Sequence, residues 1–481
     1  MDLRELLSGL EYRPAPGSVM PPLEILDVIT APCSDAQNTL YVCVDTPLQN
    51  GRTGMEAAYA AGCRAFLCTH DAFPGTEATV LISPEPERML GVLAARVHGH
   101  PARHLAVLGV SGSTGKTSVC LLLREVLERA GKRVGAITSD GVFMDKEHIR
   151  CPVIVPNAAD IQRTLAKMVS RGIEIAVLEL SSYQLWHHAA AGTDFLAVAL
   201  TNFSPRHIGH REHASLQEYH AAKQRLLDCG APFSVLPVGN SFRARGRVLT
   251  FGEGGDFCAK DLHSISHATR GFGMQLTLCE GADCTQVSLC MPTQGFVENA
   301  LVVAALARVV GLTLTQTADG LCGASVPGRM ECVLFAGGRA VYVDSAFSPE
   351  DLSVALDALS GYCEGRLAVL LGSVGERARY RRAELGRTAC EHADFVYLTA
   401  DDPDTEDPVG ICTEMQAGMR EPLRSVILPD RRAAITRAVR EMRPGDLLLL
   451  AGKGSAAYQL IAGERLPFCE RDIVALAAKD I

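Results

Sequence analysis

The run Gly109-Val110-Ser111-Gly112-Ser113-Thr114-Gly115-Lys116-Thr117-Ser118 carries the clearest chemistry in the sequence. Glycines at this spacing let successive backbone N–H groups turn inward on an anion, and a helix opening at the loop adds the positive end of its dipole. From the same turn Lys116 reaches the outer phosphates of a nucleotide, and the Thr117 hydroxyl is placed to ligate magnesium. Gly112, Ser113, Thr114, Gly115, Lys116, Thr117 and Ser118 are therefore candidate cofactor-binding residues, with ATP and Mg2+ as the implied cofactors. The strict GxxxxGK[ST] spacing is not met, because position 110 is Val and the form is GxxGxxGKT. A glycine-rich turn that merely ends a strand is the bland reading. It loses because an apolar run precedes the loop and a helical pattern follows it, the context phosphate binding needs.

Three further residues could do chemistry beside that loop. Glu179 closes an apolar strand pattern, the edge on which open α/β sheets place ligand groups, although a satisfied buried carboxylate would look the same. His207 belongs to the run His207, His210, His213. That spacing could suggest zinc, but it falls in a loop containing Pro and Gly and not on a helix face, which disfavours a zinc site. Lys223, taken alone, reads as the exposed face of a helix over residues 216–227.

The elements that must hold these groups follow from periodicity. Short apolar runs at 40–44, 65–68, 105–110, 175–178, 196–200 and 233–237 alternate with helical patterns at 55–61, 87–98, 118–130, 159–170 and 216–227, which predicts parallel sheets. Residues 254–292 alternate instead and predict an antiparallel edge of the central domain. A helix over 298–310 follows, and from 340 to the end strands and helices alternate again. The 481 residues suggest about three domains. Boundaries are expected near Pro101 and Pro327-Gly328, giving domains 1–101, 102–327 and 328–481.

Lys+Arg is 46 against Asp+Glu 55, a net charge of −9 with no basic block, so nucleic acid and anionic membranes are poor partners. No apolar stretch is long enough to span a bilayer and the N-terminus is acidic where a signal peptide is basic, so a cytoplasmic protein is expected. The 17 cysteines are scattered without zinc spacing and are read as reduced thiols.

The GxxGxxGKT loop resembles that of the Mur ligases, the ATP-dependent amino-acid-adding enzymes of peptidoglycan synthesis. Further segments resemble the family's motifs in order: Glu179-Leu180-Ser181-Ser182-Tyr183, Thr201-Asn202-Phe203-Ser204-Pro205-Arg206-His207-Ile208, Tyr219-His220-Ala221-Ala222-Lys223, Pro327-Gly328-Arg329-Met330-Glu331, Val343-Asp344-Ser345-Ala346-Phe347-Ser348-Pro349 and Ala451-Gly452-Lys453-Gly454. The resemblance runs from about residue 40 to the C-terminus. It implies an α/β fold of three domains: a small N-terminal α/β domain for a UDP-sugar, a central P-loop ATPase-like parallel sheet, and a C-terminal Rossmann-like domain that binds the amino acid.

By the same resemblance the γ-phosphoryl group of ATP passes to a substrate carboxylate, and an amine then attacks the acyl phosphate. Thr117 and Glu179 would hold one Mg2+, and His207 with Lys223 a second. Lys223 would act there as a carbamate, since an ammonium cannot ligate a cation. Lys116, Lys223, His207 and Glu179 are thus the catalytic candidates. Asn299, Arg329 and Asp344 join the nucleotide site, and Ser181, Arg377, Asp401, Asp404 and Gly452 the substrate sites. The implied partners are UDP-N-acetylmuramoyl-L-alanyl-D-glutamate and a free diamino acid, acting on a monomer.

Asp401-Asp402-Pro403-Asp404 falls where the diaminopimelate-adding enzymes carry DNPR, whose arginine clamps the distal carboxylate. A carboxylate at 404 repels that group and attracts an ammonium, so L-lysine or L-ornithine is expected over meso-diaminopimelate, the alternative. A turn or cap acid is the bland reading of Asp404. Two other classes compete: a folylpolyglutamate-synthetase-like ligase and a P-loop binding protein without ligase activity. Departures from the family pattern include Ile154-Val155-Pro156 for TTP, Ala189 for an arginine and Phe347 for a histidine.

Overall fold

The computed structural model describes residues 1–45, 51–69, 77–149, 156–205, 208, 213–376 and 379–480. The chain divides into two compact units, one of Met1–Cys258 with Val302–Thr313, the other of Ala259–Leu301 with Leu314–Ile481.

The first unit holds two sheets. The smaller runs Arg13–Pro14, Thr79–Ile82, Ala65–Cys68, Thr39–Val42, Asp27–Ile29, parallel except at its first pair. The larger carries the phosphate loop. Its parallel strands lie in the order Arg247–Phe251, Phe233–Pro237, Ala197–Leu200, Ala106–Ser111, Ile175–Glu179, Val134–Thr138, and an antiparallel ribbon, Gly141–Met144 and Glu147–Ile149, extends the far edge. Ala106–Ser111 is central and buried beyond its first residue, so Ala106 to Val110 is apolar and not alternating, as a strand covered on both faces requires. Helices Lys116–Arg129, Ala158–Ser170 and Leu216–Leu227 return the chain between strands.

In the second unit a hairpin pairs Gly271–Glu280 with Asp283–Leu289. A second sheet runs Glu331–Ala336, Arg339–Asp344, Leu447–Ala451, Leu367–Leu371, Phe395–Leu398, Ser425–Ile427, parallel after its first pair. The run Leu447-Leu448-Leu449-Leu450 sits in the middle of this sheet and is almost wholly shielded from solvent. Among the described residues no helix is long and apolar enough to cross a membrane.

The reading of every cysteine as a reduced thiol needs one correction. Cys279 and Cys284 face each other across the hairpin and are joined as a disulfide, with Cα atoms 4.1 Å apart. Cross-strand register, invisible in cysteine spacing alone, brings them together.

Candidate active site

Two glycines shape the phosphate loop. Gly112 has φ +151° and Gly115 φ +80°, and a methyl group at 112 would collide with the Thr201 hydroxyl. The segment after strand Ala197–Leu200 then braces the turn. Asn202 Oδ1 accepts the N–H groups of Ser113 (3.1 Å) and Thr114 (3.0 Å), and its Nδ2 donates to Thr114 Oγ1 at 2.9 Å. Ser113 Oγ lies 2.8 Å from Tyr219 Oη and accepts from Ser204 N at 2.9 Å. Lys116 folds back over the loop, donating to the carbonyls of Gly112 (3.1 Å) and Ser113 (3.2 Å). Thr117 and Ser118 open the helix, both buried.

Beneath the loop, Glu179 and Thr117 meet. The Thr117 hydroxyl donates to Glu179 Oε2 at 2.9 Å, and the same oxygen accepts from Ser139 N at 2.9 Å and Ser139 Oγ at 3.3 Å. The three residues come from the helix start and from the carboxyl ends of adjacent strands Ile175–Glu179 and Val134–Thr138. A carboxylate with two hydroxyls is an oxygen-only donor set, which suits a hard cation such as Mg2+. Sequence reasoning missed Ser139. Its signal was positional, the first residue past a strand that neighbours the Glu179 strand.

Lys223 is not the exposed helix residue that its sequence alone suggests. It is 0% exposed, and its Nζ has no hydrogen-bond partner among the described residues. The ammonium position lies 4.7 Å from the Tyr219 ring centroid, one turn earlier on the same helix. The Tyr219 hydroxyl that touches Ser113 thereby ties this helix to the phosphate loop. Burial, reinforced by the nearby Lys116 cation, pushes the Lys223 amine well below the usual lysine range. Lys116, Thr117, Glu179 and Lys223 therefore gather at one loop. His207, with His210, lies outside the described residues, and so does Arg377. Ser181 caps the helix Ser182–Trp186, its hydroxyl accepting Gln184 N at 3.1 Å.

The second unit carries its own polar cluster at the carboxyl ends of strands. Lys453, with its side chain 1% exposed, reaches Asp402 at 2.7 Å and Asp401 at 3.2 Å. Gly452, at φ +106°, sits where a Cβ would come within 3.1 Å of Asp401 Oδ2. A cavity of about 170 Å³ opens here, lined among others by Phe347, Ser373, Arg381, Asp401, Asp402 and Lys453. The Ser373 hydroxyl is buried and without a hydrogen-bond partner among the described residues. Asp404 is occupied differently: at φ +53°, it accepts Gly463 N at 2.7 Å, stitching a hairpin turn. Asp344 accepts the N–H groups of Met330 (2.6 Å) and Ala346 (2.8 Å), and burial, partly offset by Arg329, pushes its carboxyl up to about 6. Asn299 is buried on helix Gln294–Val309.

Known proteins resemble this chain in both halves. The Mur ligase middle domain matches residues 110–307, and the Mur ligase glutamate ligase domain matches residues 328–454. The UDP-N-acetylmuramyl-tripeptide synthetase of Deinococcus radiodurans is 35% identical, over 89% of this chain and 90% of the relative. The UDP-N-acetylmuramoyl-L-alanyl-D-glutamate--2,6-diaminopimelate ligase of Caldanaerobacter subterraneus subsp. tengcongensis is 28% identical, over 93% of this chain and 94% of the relative. A solved UDP-N-acetylmuramoyl-L-alanyl-D-glutamate--2,6-diaminopimelate ligase shares the fold, with a TM-score of 0.69 at 24% identity, covering 100% of this chain and 99% of that one. With a nucleotide loop, an oxygen-donor set beneath it and these matches along its length, the chain belongs to the Mur ligase family and is an ATP-dependent ligase.

Proposed function

We propose that the chain attaches a diamino acid to UDP-N-acetylmuramoyl-L-alanyl-D-glutamate in peptidoglycan precursor synthesis. The observation that carries this reading is the gathering of Lys116, Thr117, Glu179 and Lys223 at one phosphate loop. The reaction brings two anions together, the γ-phosphate and the substrate carboxylate, so it needs positive charge fixed where they meet. Lys116 supplies one such charge, and bound Mg2+ would supply more when held by Thr117, Glu179 and His207. The carboxylate attacks the γ-phosphorus, ADP leaves, and the amine of the diamino acid displaces phosphate from the acyl phosphate to form the amide. Lys223 acts as a carbamate: its neutral amine adds to CO2 and releases a proton, turning a buried base into an oxygen ligand. By the family resemblance, Asn299, Arg329 and Asp344 are assigned to nucleotide binding, and Ser181 and Arg377 to the substrate.

The amino acid is 2,6-diaminopimelate on the strength of the relatives that bear that name. L-lysine or L-ornithine is the second reading, favoured by Asp404 standing where an arginine would clamp a distal carboxylate. The cavity beside Asp401, Asp402 and Gly452 receives the amino acid in either case. In this reading the domains run 1–101, 102–327 and 328–481, and the protein works as a cytoplasmic monomer. Phosphate release is measured with ATP, the UDP-linked dipeptide and a panel of lysine, ornithine and diaminopimelate, followed by product mass. Release that needs both the dipeptide and a diamino acid is the expected result. Release with a pterin glutamate, or with no acceptor at all, would overturn the proposal.

A further inference from the structure

Strands Leu447–Ala451 and Phe395–Leu398 are not neighbours; Leu367–Leu371 lies between them. Two strand spacings, about 9.6 Å, therefore separate the chain segments that carry Gly452 and Asp401, and no ladder hydrogen bond can join them. A side chain closes the gap. Arg431, the first residue of helix Arg431–Arg440, is 1% exposed, and its fork donates to Ala400 O at 3.3 Å and to Ala451 O at 3.0 Å. Those carbonyls belong to the residues immediately before Asp401 and Gly452. Glu470 balances the charge, accepting Arg431 Nε at 2.8 Å while itself 3% exposed.

We propose that Arg431, with Glu470 as its counter-ion, is a positioning residue for the amino acid substrate, fixing the two walls of the Asp401–Gly452 cavity at one separation. This rests on the reading above that the cavity receives the diamino acid. Arginine suits the task because its planar fork presents donors in two directions, which a lysine ammonium on the same stem cannot do while also meeting Glu470. The position is remote from the phosphate loop in sequence and carries no motif, so composition and spacing never flagged it. If the bond to either carbonyl is lost, the two segments keep the Lys453 pairs with Asp401 and Asp402 but lose the tie that sets their backbone separation, and the resulting misplacement costs an amino acid its productive pose.

The test uses the full-length enzyme and steady-state kinetics for all three substrates. In R431M/E470L both charges are replaced by apolar groups of similar size, an exchange that buried ion pairs tolerate without loss of stability. The expected result is an unchanged melting temperature, unchanged KM for ATP and for the UDP-linked dipeptide, and a KM for the diamino acid raised about 10- to 100-fold. D402A, which alters the cavity wall directly, is measured beside it. An unchanged amino acid KM in the double variant, with a raised KM in D402A, overturns the positioning role and leaves the site reading intact. An unchanged KM in both overturns the site reading as well. All three KM values rising together with a falling melting temperature means that the pair is structural only, and that also overturns the proposal. Should the double variant fail to fold, R431K, which keeps the ion pair and loses the fork, must show the same selective rise in KM, and its absence counts equally against the idea.

Discussion

Replacing Lys223 with Met separates the chemistry of this buried amine from its packing. Methionine fills nearly the same volume and leaves the aliphatic stem's contacts in place. What disappears is a nitrogen that is 0% exposed and has no hydrogen-bond partner among the described residues. Leaving a polar group buried and unsatisfied costs about 1–3 kcal/mol, so the variant should fold as well as the parent or better. The pH dependence gives an independent sign. The folded pKa lies well below the ordinary lysine value, so the unfolded chain binds more protons between the two. Stability therefore rises with pH across the window from the depressed folded value up to roughly 10.4, and in Lys223→Met that slope should flatten. Catalysis should move the other way. Losing one preorganised group that manages transition-state charge costs on the order of 10²–10³ in kcat, about 2.7–4 kcal/mol. The assays are urea unfolding across pH, phosphate release, and carbon-13 NMR of protein equilibrated with labelled bicarbonate, in which a carbamate carbon should appear in the parent alone. A variant that keeps the parental kcat, or a parent without a carbamate signal while fully active, refutes the reasoning.

Ser139→Ala removes one of the groups that hold the Glu179 carboxylate; magnesium titration of activity should then show an apparent affinity lower by about 10–100-fold, the usual cost of losing an outer partner of a metal ligand. Gly112→Ala forces a methyl group against the Thr201 hydroxyl at a left-handed φ, and equilibrium binding of a fluorescent ATP analogue should be abolished while the smaller sheet's strands keep their hydrogen-exchange protection. Burial pushes the Asp344 carboxyl up to about 6, so if it binds the nucleotide, affinity measured between pH 5 and 8 should rise through about 6 as the carboxylate forms and becomes a stronger hydrogen-bond acceptor. Asp404→Asn keeps an acceptor for Gly463 N and removes only the charge; if that charge selects a distal ammonium, the lysine-to-diaminopimelate ratio of kcat/KM should fall about tenfold with no change in melting temperature.

Sequence patterns exposed the strands best, because a buried parallel strand is apolar along its whole length. The 65–68 run became strand Ala65–Cys68, and the 105–110 run became Ala106–Ser111. The helix predicted from 118 begins at Lys116 instead, since the phosphate loop itself supplies its first turn. What spacing could not reveal is register. Ser139 stands beside Glu179 only because Val134–Thr138 pairs with Ile175–Glu179 in parallel, and Cys279 faces Cys284 only because a hairpin turns between them. Burial was equally hidden for Lys223, whose helix looks amphipathic but turns that face toward the loop. Asp404 carries two readings at once. Its charge invited a recognition role, while its backbone and one carboxylate oxygen serve a turn.

Three of the buried cations among the described residues differ in a way that bears on function. Arg431 is matched by Glu470, and Lys453 by Asp401 and Asp402, so each charge is offset where it lies. Among the described residues Lys223 is offset by nothing of opposite sign; the Tyr219 ring and the Lys116 cation lie near it. A fold gains nothing in stability from such an arrangement, because a methylene chain of equal length would pack as well without the desolvation cost. The neutral amine that burial favours is also the form that reacts with CO2, and a carbamate formed there would place negative charge beside the Lys116 cation. The feature that makes Lys223 poor as a structural residue is therefore the one that makes it serviceable as a ligand.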